Sequence, residues 1–310
     1  MTDDLNECMA GKKVVCSKPP GFATIRSMNH SGRRADMTLN NHAGVIRVGI
    51  AGLGTVGRDV AAALNGRIHG VALSAVSARN VEAARDWLRE AGLDVPVVGI
   101  DQLEPHCDVV IECAPSALMR RLAEPVLRAG KKLVVLSSGA MLDNMDLIEL
   151  ADLHGAQIIV PTGALLGLDA VKAAAEGRIE SVKMVSRKPV EGFRGAPFLV
   201  ANGIDIEGID VPKRLFSGKA REAATGFPAN LNVAISLSLA GIGVDQTQLE
   251  IWADPTIQRN THTITVVSDS ASFSMTIENI PTSNPKTGRI TAQSVLAVLR
   301  QMTAPMRVGT

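Results

Sequence analysis

The chain has 310 residues, 46% of them hydrophobic and 20% charged, and its formal net charge is +1. That length suits two domains better than one, and the composition is that of a globular protein. A charge so close to zero gives no reason to expect nucleic acid or an acidic membrane surface as a partner, and no apolar run reaches the roughly 20 residues that span a bilayer.

Residues 1–43 hold Pro19, Pro20, scattered basic residues and no sustained periodicity, so they read as a poorly ordered extension. Met1-Thr2-Asp3-Asp4 is not the basic-then-apolar start of a secretory leader, and Met37, just ahead of the first strand, is read as an alternative start. Cys8, Cys16, Cys107 and Cys113 form no CxxC pair. Reduced thiols, a cytoplasmic location and no metal site are therefore expected.

From Val45 onward strands and helices alternate. Val45–Ala51, Val71–Ser77, Val95–Gly99, Val109–Cys113, Leu133–Leu136 and Gln157–Val160 read as strands with the continuous apolar character of a parallel sheet. Between them, helices are expected over Arg58–Leu64, Val81–Ala91 and Ala117–Ala129, and from a cap at Asp143 through Leu153. This is an α/β, Rossmann-type doubly wound parallel sheet, expected over residues 44–164.

After Pro161 the pattern changes. Val171–Glu176, Ala220–Ala224 and Asn232–Leu239 read as helices, and Gln248–Ala253, His262–Ser268 and Ser272–Ile277 as antiparallel strands. Ile179–Arg187 alternates, with Val182, Met184 and Ser186 on one side and Lys183, Val185 and Arg187 on the other. A second α+β domain is expected over 165–285. Arg289–Met302 would form a closing helix in a segment, 286–310, that packs back on the first domain.

The segment Gly52-Leu53-Gly54-Thr55-Val56-Gly57 follows a strand and opens a helix. Gly52 permits the tight turn, Gly54 lets backbone approach a pyrophosphate, and Gly57 lets helix and strand pack closely. The N–H groups of Thr55 and Val56 open the helix, whose N-terminus offers donors and partial positive charge to phosphates. Alone such a loop is weak evidence; in the strand–loop–helix–strand setting it points to a nicotinamide dinucleotide. The second strand ordinarily ends in an acid that binds the ribose 2′-OH, roughly 20 residues past the loop. Here that place reads Ser77-Ala78-Arg79-Asn80, without a carboxylate. Ser77 and Arg79 suit a 2′-phosphate, so the expected cofactor is NADP or NAD, leaning to NADP. The plain alternative is that Arg79 is a solvated surface side chain.

Among the histidines, His30 and His42 lie in the extension, and His69, His106 and His154 lie at connections without polar company. His262 ends the polar stretch from Asp254 to Thr261, read as a loop entering a strand, and is the candidate acid/base. Asn230 and Asn232 enter an apolar helix, either as caps or with an amide beside nicotinamide or substrate. Lys286, in Asn284-Pro285-Lys286-Thr287, is a candidate carboxylate anchor, unless the segment is only a helix start capped by Thr287. Cys113 and Ala114 follow the fourth strand beside the cofactor cleft. A small cysteine there is usually packing rather than a nucleophile.

From Val45 to about Met302 these motifs together resemble the L-aspartate dehydrogenase family. Pro161-Thr162-Gly163-Ala164 resembles the turn whose alanine, here Ala164, touches the cofactor through its backbone. Arg187-Lys188-Pro189 and Ala220-Arg221-Glu222-Ala223-Ala224 match in place. The run from Phe227 to Ala234 resembles the segment whose second asparagine, here Asn232, contacts the nicotinamide cofactor. Asp254-Pro255 with Asn260-Thr261-His262 resembles the active-site loop, and gives His262 the catalytic role. Thr263 after the histidine and Leu165-Leu166-Gly167 beside the cofactor depart from the pattern. The resemblance implies oxidation of L-aspartate by NAD(P)⁺ to iminoaspartate, then hydrolysis to oxaloacetate and ammonia, a reaction that reverses as reductive amination. It also suggests a place in NAD biosynthesis and equally permits a catabolic role. The exposed sheet face suggests a homodimer. Three readings compete: a related reductase acting on another amino acid, imine or small keto acid, a nucleotide-binding regulatory subunit without turnover, and a structural scaffold.

Overall fold

A computed structural model describes residues 44–227, 231–282 and 288–309. Strand β1 (Ile46–Ala51) leads through the glycine turn to helix α1 (Thr55–Ala63). Then come β2 (Val71–Ser77), α2 (Val81–Glu90), β3 (Val97–Val98), β4 (Val109–Glu112), α3 (Met119–Arg128), β5 (Lys132–Val135), α4 (Asp146–Leu153) and β6 (Gln157–Ile159). The strands form a parallel six-stranded sheet in the order β3-β2-β1-β4-β5-β6. The chain winds one way from β1 and the other way from β4, so the topological switch lies between these strands. A crevice opens at their carboxyl ends, the usual ligand position in such sheets.

Burial explains the strands. Val48, Ile50 and Ala51 of β1 and Val110 and Ile111 of β4 have no exposed surface, as a sheet covered on both faces requires. Helix α2 starts where Asn80 Oδ1 accepts from the Ala83 N–H at 3.0 Å, and it stops ahead of Gly92, whose φ is +67°. The expected cap at Asp143 does not form. Ser138–Asp143 is a 3-10 turn, and α4 begins at Asp146 with no side-chain cap. The expected third strand shrinks to two residues, since only Val97 and Val98 pair with β2.

The second half holds α5 (Leu168–Ala175), β7 (Ile179–Lys188), α6 (Pro197–Ala201), β8 (Lys213–Lys219), α7 (Ala220–Gly226), α8 (Asn232–Ala240), β9 (Gln248–Ala253), β10 (Asn260–Ser268) and β11 (Ser272–Asn279). Its sheet runs β11-β10-β7-β9-β8, with β7 and β9 parallel and the other pairs antiparallel. Strand β8 and helix α6 carry no clear periodicity and were not expected. The inner face packs Val182, Met184, Leu249, Ile251, Ile264 and Val266 against α5, α7 and α8. The outer face carries Thr263, Thr265, Lys183 and Val185, with Arg187 stacked 4.7 Å over Trp252. Finally α9 (Ile290–Thr303) lies against α1, and its Val295 and Leu299 are wholly buried with Val60 in the first sheet's core. Each such side chain contributes about 1.5–3 kcal/mol relative to exposure.

Candidate active site

Two cavities meet at Gly54, Cys113 and Ala114, over the switch point. The first is about 900 Å³ and includes Gly52, Ser77, Arg79, Asn80, Arg58, Arg85 and Arg121 in its walls. The second, about 320 Å³, runs from Gly54, Thr55, Val56 and Gly57 past Ala164 and Asn232 to Lys188, Asn260, His262 and Asn279. The expected cofactor residues thus divide in two. Ser77 and Arg79 line the outer cavity, Ala164 and Asn232 the inner one, and the glycine loop and Ala114 bridge them.

The glycine loop explains itself sterically. Gly52 has φ +102°, and a Cβ on it would lie 2.4 Å from the Cys113 carbonyl oxygen. A Cβ on Gly57 would lie 2.0 Å from the Gly52 carbonyl oxygen, while one on Gly54 would meet nothing within 4 Å and project into open space. Helix α1 begins at this point with no side-chain cap and no acidic residue in its first turn. Its free N–H groups and open approach therefore fit a dinucleotide pyrophosphate. In the outer cavity Ser77 ends β2, and its carbonyl accepts from the Gly52 N–H at 2.7 Å. No carboxylate lines that cavity among the described residues.

The far wall of the inner cavity is one end of the second sheet. Register pairs His262 of β10 with Ser186 of β7 and Asn260 of β10 with Asn279 of β11. Side chains two apart on a strand share a face, so Ser186 and Lys188 stand beside Asn260 and His262. The inner face, apolar elsewhere, ends here in polar side chains. His262 therefore lies on the expected strand at 2% exposure, and that strand begins at Asn260, ahead of the start expected at His262. The ring Nδ1 lies 3.1 Å from Ser186 Oγ. Burial, followed by the positive charge of Lys188, pushes the imidazole pKa down to about 3, so the ring is neutral at physiological pH.

Asn232 is the first residue of α8, not its cap, which is Leu231. Its Oδ1 accepts from the Gly139 N–H at 3.1 Å, and its carbonyl accepts from Ser138 Oγ at 2.7 Å. Together with the Ser236–Ser138 hydroxyl bond, these tie α8 to the turn after β5. Ala164 accepts from Asn279 Nδ2 at 2.9 Å. Leu165 is buried in the second core and does not line the cavity. Cys113 lines both cavities, but burial and then Glu112 raise its thiol pKa, opposite to what a nucleophile needs. Asp254 does not line the cavity; it holds its own loop by accepting from Thr256 N–H and Oγ1. His69, His106 and His154 line neither cavity. Asn230, Asn284, Lys286 and Thr287 lie outside the described residues.

Four residues of this region were given no role by the sequence. Lys188, 7% exposed, extends the inward stripe Val182, Met184, Ser186 by one step. Ser186 was placed on that stripe without a role. Asn279 likewise ends the stripe Phe273, Met275, Ile277. Glu112 is a lone acid at the end of an apolar strand, 1% exposed. It accepts from Leu136 N–H, Ser137 N–H and Ser137 Oγ and so locks the ends of β4 and β5 under the cavity, while burial raises its pKa. Among the described residues no cluster of His, Cys, Asp and Glu could hold a metal ion.

Comparison with known proteins agrees with this geometry. Residues 169–302 match the family profile described as aspartate dehydrogenase, C-terminal, and residues 52–161 match the homoserine dehydrogenase NAD-binding domain. L-aspartate dehydrogenase 3 of Bordetella bronchiseptica is 60% identical over 264 residues, covering 85% of this chain and 97% of that protein. The L-aspartate dehydrogenase of Bradyrhizobium diazoefficiens is 55% identical over 274 residues, covering 88% and 98%. In structure, the aspartate dehydrogenase of Thermotoga maritima superposes with a TM-score of 0.65 over 85% of this chain and 99% of that one, at 22% identity, a likeness of fold. The chain belongs to the L-aspartate dehydrogenase family.

Proposed function

We propose that this chain is an NAD(P)-dependent L-aspartate dehydrogenase, with residues 44–164 holding the cofactor, 165–285 the substrate and 286–310 returning to the first domain. One observation carries the reading: a buried, neutral histidine, His262, lines the same cavity as the uncapped N-terminus of α1. The glycine loop and the first turn of α1, including Thr55 and Val56, would hold the pyrophosphate, with Ala114, Ala164 and Asn232 along the nicotinamide side. When bound, the nicotinamide accepts the hydride that leaves the substrate Cα, so the protein's task is to align those two atoms.

His262 takes a proton from the substrate ammonium before the hydride leaves, or, as the neutral imidazole, positions the water that attacks the imine carbon. A base role requires the tautomer whose Nδ1–H donates to Ser186 Oγ, which leaves the Nε2 lone pair for the substrate. The two carboxylates of the substrate, entering this cavity, counter the lowering of the imidazole pKa by burial and Lys188, and so bring the base toward working range. Asn230 and Lys286 are assigned to the substrate on sequence alone.

The outer cavity favours NADP. It presents Ser77 and Arg79, with Arg58, Arg85 and Arg121 around them and, among the described residues, no acid in its walls to repel a 2′-phosphate. The same proposal includes a cytoplasmic homodimer through the outer face of the second sheet, for which sedimentation velocity is the check. No helix among the described residues is long and apolar enough to cross a membrane.

The test is the initial rate with L-aspartate, and with oxaloacetate plus ammonia, using NAD(H) and NADP(H) in turn. Turnover in both directions, with a lower KM for NADP, is expected. A panel of other amino acids and keto acids is run in parallel, and faster turnover of another member than of aspartate overturns the substrate assignment.

A further inference from the structure

Lys188 is 7% exposed at the end of β7, and its backbone is fixed there by the Asp254 N–H donating to its carbonyl at 2.9 Å. Among the described residues it is the only cationic side chain lining the inner cavity, and no Asp or Glu lines it.

From this geometry we propose that Lys188 anchors a carboxylate of the substrate, and thereby selects a dicarboxylic amino acid over a neutral one; the inference rests on the dehydrogenase reading above. The strand register places Lys188 one step beyond Ser186, the cross-strand partner of His262, so the two residues are diagonal neighbours on one face, and the lysine's charge is felt at the imidazole. A four-carbon acid can then lie across the two residues, one carboxylate on Lys188 and its amine toward His262. A second feature fits that orientation. Asn279 is 3% exposed, and its Nδ2 is committed to the Ala164 carbonyl, yet its Oδ1 is buried without a hydrogen-bond partner. A buried acceptor left unmade costs free energy. Beside a cationic anchor it is the natural counterpart for a donor group, such as the amine of an amino acid or the amide of a nicotinamide.

The probe is succinate, a four-carbon dicarboxylate that cannot be oxidised at an amine, titrated against the NADPH-loaded enzyme by nicotinamide fluorescence, with butyrate as the one-carboxylate control. Wild type should bind succinate more tightly than butyrate. In Lys188→Met the succinate Kd and the KM for L-aspartate should both rise about 30-fold, the loss expected for one charge-assisted contact. The Kd for NADPH should stay within about twofold, and kcat should fall far less than KM rises. Lys188→Arg, which keeps the charge, should recover most of the succinate binding. If Lys188→Met folds poorly, Lys188→Gln and the arginine variant carry the same comparison. Succinate binding unchanged in a folded, charge-free variant overturns the proposal, as does a collapse of kcat at constant KM. If wild type proves unable to oxidise L-aspartate, the dehydrogenase reading falls, while the difference in succinate binding still decides the role of Lys188.

Discussion

The two walls of the cleft are made of different material. The wall proposed for the cofactor is largely main chain: a turn at Gly52, a helix start at Gly54 and Thr55, and the backbone at Ala114 and Ala164. The opposite wall is side chain: Lys188, Asn260, His262 and Asn279, projected from three adjacent strands of the second sheet, with Ser186 behind His262. A backbone site depends on shape, so it should fail through sterics. A side-chain site depends on charge and protonation, so it should fail chemically while the fold survives. Substitutions on each wall can break that contrast.

The largest effect is expected at the side-chain wall. His262→Ala should lower kcat by about 10²–10⁴, the usual weight of a positioned acid/base, and leave the cofactor Kd within about twofold. Unchanged kcat would remove His262 from the mechanism. The same variant reports on pH. The imidazole pKa is depressed in the folded state to about 3, so between the unfolded value and that point the unfolded chain binds a proton that the native one does not. The stabilising contribution is therefore whole above about pH 6.5 and is lost as pH falls toward about 3, with a slope of at most about 1.4 kcal/mol per pH unit. Denaturant titrations over this range should show a shallower acid slope for His262→Ala than for wild type. In turnover, kcat/KM should show no free-enzyme histidine inflection near 6.5.

The backbone wall was legible in the sequence because its requirements fall on consecutive residues. Three glycines in six positions, bracketed by an apolar strand and a helix, leave few other structures, and Ser77 and Arg79 follow at a fixed distance. The side-chain wall is assembled from β7, β10 and β11, whose register no local pattern reports. Its signal was present in weaker form. Each inward stripe changes from apolar to polar at the same end: Val182, Met184, then Ser186 and Lys188; Val266, Ile264, then His262 and Asn260; Phe273, Met275, Ile277, then Asn279. His262 was found by its polar neighbours and by family resemblance, and was read at the start of a strand; that it is buried on the same inward face as Ile264 and Val266 came only with the fold. Lys188 stood one residue past the stretch read as a strand, and so had no face. Glu112 drew no notice because a single acid after Val109-Val110-Ile111 has no partner nearby in sequence; its partners at Leu136 and Ser137 arrive through sheet pairing.

Two glycines of the loop separate the meanings of a backbone site. Gly57→Ala places a Cβ 2.0 Å from the Gly52 carbonyl oxygen, so helix and turn must part. Overpacking of that kind costs about 1–3 kcal/mol, and the variant should melt lower with or without cofactor. Gly54→Ala meets nothing within 4 Å, so its melting temperature should match wild type. Its methyl group enters the space proposed for the pyrophosphate, and the Kd for NADP should rise about tenfold, which is about 1.4 kcal/mol. Tight cofactor binding by Gly54→Ala would mean that the phosphates lie elsewhere.

The smallest expected effect lies at the rim of the outer cavity, where the two materials meet. Arg79 is exposed, and a solvated charge contributes less than a buried one because water and salt screen it. A phosphate nevertheless accepts charge-assisted hydrogen bonds that a ribose hydroxyl cannot match. Arg79→Ala should therefore raise the KM for NADP by about fivefold and leave that for NAD within about twofold, with kcat unchanged for both. The NADP effect should shrink as salt is raised, since the lost contact is ionic at a wet surface. Arg58, stacked 5.4 Å over Trp87, and Arg121, paired with Asp101, are held by other groups, so Arg79 is the arginine whose loss should separate the two cofactors most cleanly. Equal losses for NAD and NADP would place Arg79 against the shared adenosine. No loss for either would make it a solvated surface charge, and the choice between cofactors would then rest with Ser77 and the absence of an acid at the end of β2.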